Sequence, residues 1–101
     1  MMIEHMNDEE KSVLLAKAMG LEVRDWHTKQ FIKTPEGQII EADLYLPANM
    51  ALAKRTIEWG AANIPPFKQT LKLIGYNMWV LPHGVTELLD EIAIYVIEES
   101  V

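Results

Sequence analysis

The chain has no cysteine. That excludes a disulfide scaffold, a thiolate nucleophile and every cysteine-ligated metal site, and it fits a reducing compartment. Serine occurs only as Ser12 and Ser100, and neither lies in a nucleophile turn such as Gly-x-Ser-x-Gly. The five glycines, Gly20, Gly37, Gly60, Gly75 and Gly84, are scattered, so no glycine-rich loop is present to cradle a phosphate. No apolar run approaches the length that spans a bilayer, because Lys54, Arg55 and Glu58 interrupt one helical pattern and Asp90 and Glu91 another. The start, "MMIEHMNDEEK", lacks a basic stretch followed by an apolar one, so it does not read as a secretory signal; residues 1–6 are expected to form a loose tail. Positive charge is scarce as well. Nine Lys and Arg stand against fifteen Asp and Glu, a net charge of −6, which repels phosphate backbones and argues against general nucleic-acid binding. Lys68 with Lys72, and Lys54 with Arg55, are the basic pairs that could still form local patches.

What is present is an ordinary globular composition. Half of the 101 residues are hydrophobic and 24% are charged, which supports one domain over 1–101 with a single core. "NDEEKSVLLAKAMG" opens with a capping signal, Asn7 followed three residues later by Glu10, and closes at Gly20; it predicts a helix over 8–19. The pattern then shifts to period two. Ile40, Ala42, Leu44 and Leu46 face one way and Ile39, Glu41, Asp43 and Tyr45 the other, while "TPEG" supplies a turn at Pro35. Strands over 29–33 and 38–45 form a hairpin, with a third strand over 22–27 whose Val23 and Trp26 point to opposite faces.

From Pro47 or Asn49 a helix runs to about residue 62. Met50, Ala53, Ile57 and Ala61 cluster on one side, and Leu52, Thr56 and Trp59 on an adjoining one. This arc exceeds the roughly 100° that a helix lying on a sheet needs. It predicts two partners: the sheet on one flank, and another helix or another chain on the other. A further helix starts at Pro65 with Phe67, Leu71 and Ile74 inward and stops at Gly75, and "YNMWVL", 76–81, reads as a short strand. The last helix, capped by Thr86, has a core stripe of Leu88, Leu89, Ile92, Tyr95 and Val96, with Ile94 stranded amid Glu87, Asp90, Glu91 and Glu98. The expected fold is α+β: a mainly antiparallel three- to four-stranded sheet packed by about four helices, in the order α-β-β-β-α-α-β-α.

Chemistry-bearing constellations are few. Asp25 and His27 are two apart, on one face if they share a strand, and could form an acid–base pair for a small hydrolase. His5 and His83 have no ligand at metal spacing, so no metal site, cofactor or catalytic residue is assigned. The paired carboxylates fall on helix faces, where nothing apolar raises a pKa. Trp26, Trp59 and Trp79 are read first as core. The functional reading gives Leu52, Trp59 and Ile94 to a protein-binding or self-association surface, with a homodimer expected, and gives Trp59, Trp79 and Tyr76 to a ligand pocket.

"MNDEEKSVLLAKAMG" and "LYLPANMALAKRTIEWG", with Met6 to Gly20 and Leu46 to Gly60 as the matching parts, resemble small uncharacterised bacteriophage proteins of the ABA-sandwich-domain type. Those proteins carry "LLAKAMGW" and "DPANMALAWRVLNWA". The present chain departs from them at Leu21 and Lys54, where they have tryptophan, and at Leu46, where an acid precedes the proline. The resemblance implies phage or prophage origin and residence in the host cytoplasm, and brings no catalytic residues. The functional expectation is a non-enzymatic accessory protein that binds and modulates a host protein, a counter-defence inhibitor being one form. The alternative is a protein that binds or sequesters a nucleotide or metabolite.

Overall fold

The computed structural model describes residues 5–74 and 82–100. The elements are α1 (Asp8–Ala18), β1 (Val23–Trp26), β2 (Lys29–Lys33), β3 (Ile39–Glu41), a 3-10 turn (Pro47–Asn49), α2 (Met50–Asn63), α3 (Pro65–Ile74) and α4 (Pro82–Ser100). The predicted α+β class and three antiparallel strands are present. The fourth predicted strand, 76–81, the stop at Gly75 and most of the tail lie outside the described residues.

Local chemistry explains the boundaries. The Glu10 amide donates to Asn7 Oδ1 at 2.8 Å, and the Asn7 amide donates to Glu10 Oε1 at 3.2 Å, which closes a capping box on α1. At the other end Gly20 takes φ = 79°. The amides of Gly20 and Leu21 then reach back to the carbonyls of Lys17 and Ala16, the Schellman arrangement that left-handed glycine permits. The "TPEG" turn closes with the Gly37 amide on the Thr34 carbonyl at 2.9 Å.

The sheet order is β1-β2-β3, all antiparallel. Its register aligns Val23, Ile32 and Ile40 on the face that meets the helices. β3 is shorter than the predicted 38–45. Beyond Glu41 side chains satisfy the backbone: Asn49 Nδ2 donates to the carbonyls of Glu41 and Asp43, Asp43 Oδ1 accepts from the Tyr45 amide, and Ser12 Oγ accepts from the Leu44 amide at 2.8 Å. The chain turns there, yet Ala42 and Leu44 still point inward and are buried.

α1 lies against the sheet and against α4, and α4 also meets α2 and α3. Of the α4 residues described between Gly84 and Glu98, only Glu87 and Glu98 are exposed as whole residues. α4 starts at Pro82, so Thr86 lies inside the helix and does not cap it. α2 has its wide buried side as the periodicity predicted, but its main neighbours are α4 and α3 rather than the sheet. Thr56, fully buried, places its hydroxyl 2.9 Å from the Leu52 carbonyl and 3.3 Å from the Met19 sulfur at the end of α1. The second flank of α2 is therefore covered by this chain itself. Only the N-terminal half of α2 approaches the β2–β3 hairpin, where Arg55 pairs with Glu36.

Gly60 is where α2 and α4 approach closely. A Cβ there would stand 3.0 Å from Ile92 Cδ1 and 3.1 Å from Phe67 Cδ2. Among the described residues no helix is long and apolar enough to cross a membrane.

Candidate functional site: the outer face of the sheet

The residues that alternate with Val23, Ile32 and Ile40 must point away from the helices. On β1 these are Arg24 and Trp26, on β2 Lys29, Phe31 and Lys33, and on β3 Ile39 and Glu41. Register makes Arg24, Phe31 and Glu41 one row, pairs Trp26 with Lys29, and pairs Lys33 with Ile39. Trp26, Phe31 and Ile39 consequently form a diagonal across all three strands. Lys29 flanks it on one side, and Arg24 and Lys33 on the other.

This diagonal is open to solvent. Trp26 is 67% exposed and Ile39 50%, while Phe31 is half-buried between them. The Trp26 and Phe31 rings lie 6.3 Å apart at 50°. Together with Arg24 and Asp25 they line a groove of about 310 Å³. The turn that carries Trp26 is unusual: His27 takes φ = 58°, a conformation rare for residues other than glycine, and lays its imidazole 5.3 Å from the indole. Arg24 is held by Glu22, whose carboxyl stays below its usual range because of that guanidinium; Lys29 lies 3.7 Å from Glu41.

Of the residues singled out as a binding surface, Leu52, Trp59 and Ile94 fall elsewhere. Leu52 is 5% exposed and belongs to the core, so it cannot present a surface to another chain. Trp59 is half-buried against that core, and Ile94 is half-buried rather than exposed, because the helices around α4 cover most of its circumference. Trp79 and Tyr76 lie outside the described residues. Trp26, read first as core, is the exposed one of the two described tryptophans. Asp25 and His27 do not share a strand face, since the strand ends at Trp26 and His27 occupies the turn. The signal for the outer face was available in the alternation: once Val23, Ile32 and Ile40 are inward, Trp26, Phe31 and Ile39 must be outward.

A second polar cluster is structural. Asp90 Oδ1 accepts from Lys11 Nζ at 2.7 Å and from the Tyr45 hydroxyl at 2.6 Å, and the Lys11 ammonium sits 4.7 Å from the centre of the Tyr45 ring. Burial, then the hydrogen bond to Asp90, pushes the Tyr45 phenol well above its ordinary range. Among the described residues, every buried polar side-chain atom has a hydrogen-bond partner, and no group of three or more His, Asp or Glu side chains is placed to hold a metal ion.

Compared with protein-family models, with curated proteins and with solved structures, the chain has no match.

Proposed function

We propose that this chain is a non-enzymatic binding protein that docks on another protein through the outer face of its sheet. In the phage setting implied by the two sequence blocks, the partner is a host protein, and modulation of host defence is the form such binding would take. The observation that carries the reading is Trp26, two-thirds exposed at the end of β1 beside Phe31 and Ile39. Tryptophan in that position supplies a large contact area at low entropic cost, which is how interface anchors work. The polar groups in the interior are, by contrast, committed to holding elements together.

The test uses the intact chain and Trp26→Ala/Ile39→Ser, immobilised and exposed to host lysate. The wild type should retain a stoichiometric host protein that the variant releases, with both giving the same circular-dichroism melt. Equal retention by both, or none by either, counts against the reading. The groove of about 310 Å³ favours one second reading, a nucleotide or metabolite bound beside Trp26. A thermal shift produced by such a compound at unchanged mass, and abolished by Trp26→Ala, would select it.

A further inference from the structure

Away from the outer face of the sheet, a small cleft opens where the β2–β3 hairpin meets the start of α2. Its volume is about 90 Å³. A space of that size holds several waters and falls short of the roughly 300 Å³ at which sites for drug-sized molecules begin. Any organic ligand it takes is therefore small.

Two of its lining side chains, Thr34 and Asn49, are each only 8% exposed, and both are held by local bonds. Thr34 Oγ1 accepts from the Gln38 amide at 3.0 Å. Asn49 Nδ2 donates to the carbonyls of Glu41 and Asp43 at 3.2 and 2.9 Å, and this pair of acceptors settles which end of the amide is the oxygen. Each side chain keeps one unused function. Among the described residues nothing accepts the Thr34 hydroxyl proton, and nothing donates to Asn49 Oδ1. Every fully enclosed polar side-chain atom among those residues has a partner, so Asn49 Oδ1 touches open space, and the cleft is the space its residue lines. The interior thus offers one donor and one acceptor on side chains already locked in place.

The mouth is charged but neutral in sum. Arg55 and Glu36 pair there, with side chains 48% and 57% exposed. A lone anion drawn to Arg55 meets Glu36, and a lone cation drawn to Glu36 meets Arg55, so the mouth favours neither. Opposite charges on one molecule satisfy both residues. Ile40 and Leu52 add apolar wall that suits a short aliphatic stem.

We propose that this cleft binds a small zwitterion of free amino-acid size whose side chain carries both a donor and an acceptor, as a carboxamide does. Its carboxylate lies on Arg55, its ammonium on Glu36, and its side chain on Thr34 Oγ1 and Asn49 Oδ1. The site stands apart from the docking face around Trp26, and each reading can fail without the other.

The test is an amide NMR titration of the intact chain with four probes. They are L-glutamine, L-norvaline (the same zwitterion without the amide), propanamide (the amide without the charges) and inorganic phosphate. Glutamine should move the resonances of Gln38, Asn49 and the Arg55 side chain saturably, and bind at least about 3-fold tighter than norvaline or propanamide. Arg55→Gln, an exposed substitution, should weaken glutamine by about 2- to 5-fold and leave propanamide unchanged. Thr34→Val should weaken glutamine but not norvaline. Glu36→Gln, at the exposed mouth, should act as Arg55→Gln does, and keeps the proposal open to refutation where Thr34→Val fails to fold. Equal affinity for glutamine and norvaline removes Thr34 and Asn49 from recognition and overturns the proposal. Tighter binding of phosphate makes the cleft an anion site and overturns it as well. Glutamine shifts centred on Trp26, or no shifts at all, leave the cleft to water and overturn it.

Discussion

Gly60→Ala isolates the close approach of α2 to Ile92 and Phe67. In an exposed helix interior, replacing glycine by alanine gains about 1 kcal/mol of stability. Here the new methyl would stand 3.0 and 3.1 Å from Ile92 Cδ1 and Cγ1 and 3.1 Å from Phe67 Cδ2, roughly half an ångström inside ordinary carbon contact. Ile92 and Phe67 have no exposed surface, so neither side chain can swing aside into solvent. Overpacking of this kind costs about 1–3 kcal/mol. The balance is a net destabilisation of about 1 kcal/mol, a fall in melting temperature of about 4–8 °C for a domain of this size. The assay is a denaturant and thermal melt followed by circular dichroism. Ile92→Val supplies the control. Alone it should cost about 1 kcal/mol, but in the Gly60→Ala background it removes the nearer clashing atom and should cost at least about 0.5 kcal/mol less. A rise in melting temperature for Gly60→Ala, or identical costs of Ile92→Val in both backgrounds, would refute the close-contact reasoning.

Three further outcomes follow from the polar contacts. Asp90→Ala strands the Tyr45 hydroxyl and leaves the Lys11 ammonium only the more distant Asp8 carboxylate at 3.6 Å; because the Asp90 side chain is itself 46% exposed, solvent screening reduces the cost to about 1–3 kcal/mol, readable in a urea melt. Ser12→Ala leaves the Leu44 amide without its acceptor and should cost about 1–3 kcal/mol, with hydrogen exchange at Leu44 faster than in the wild type. Tyr45 holds its proton more tightly folded than unfolded, so its contribution is complete below pH of about 10, where the unfolded phenol titrates, and is lost as pH rises further. Stability measured from pH 8 to 11 should therefore fall more steeply in the wild type than in Tyr45→Phe.

The parts of this fold that can be read from sequence are those set by neighbours along the chain. The Asn7–Glu10 box, the Gly20 stop, the "TPEG" turn and the inward alternation of Ile40, Ala42 and Leu44 all rest on contacts within a few residues, and the structure has each of them. What could not be read is set by distant partners. The wide apolar side of α2 was visible, but its periodicity holds no information about whether α1, α4 or another molecule covers it. Thr56 against Met19, 37 residues apart, answers that question. Ile94 looked exposed because its own helix is acidic there, while its surroundings come from neighbouring helices. The outer sheet face was half legible: alternation placed Val23 and Trp26 on opposite sides, and only the three-strand register assembles Trp26, Phe31 and Ile39 into one diagonal.

The central position of α4 has a consequence for biosynthesis. Lys11 and Asp90 are 79 residues apart, and α1, α2 and α3 all rest on a helix translated after them. Until that helix has left the ribosome, which at about 5–20 residues per second takes seconds, the nascent chain holds Leu15, Ile57 and Phe67 without the surface that buries them. Completion of the native state waits for α4, and in that interval the growing polypeptide offers its apolar stripes to chaperones.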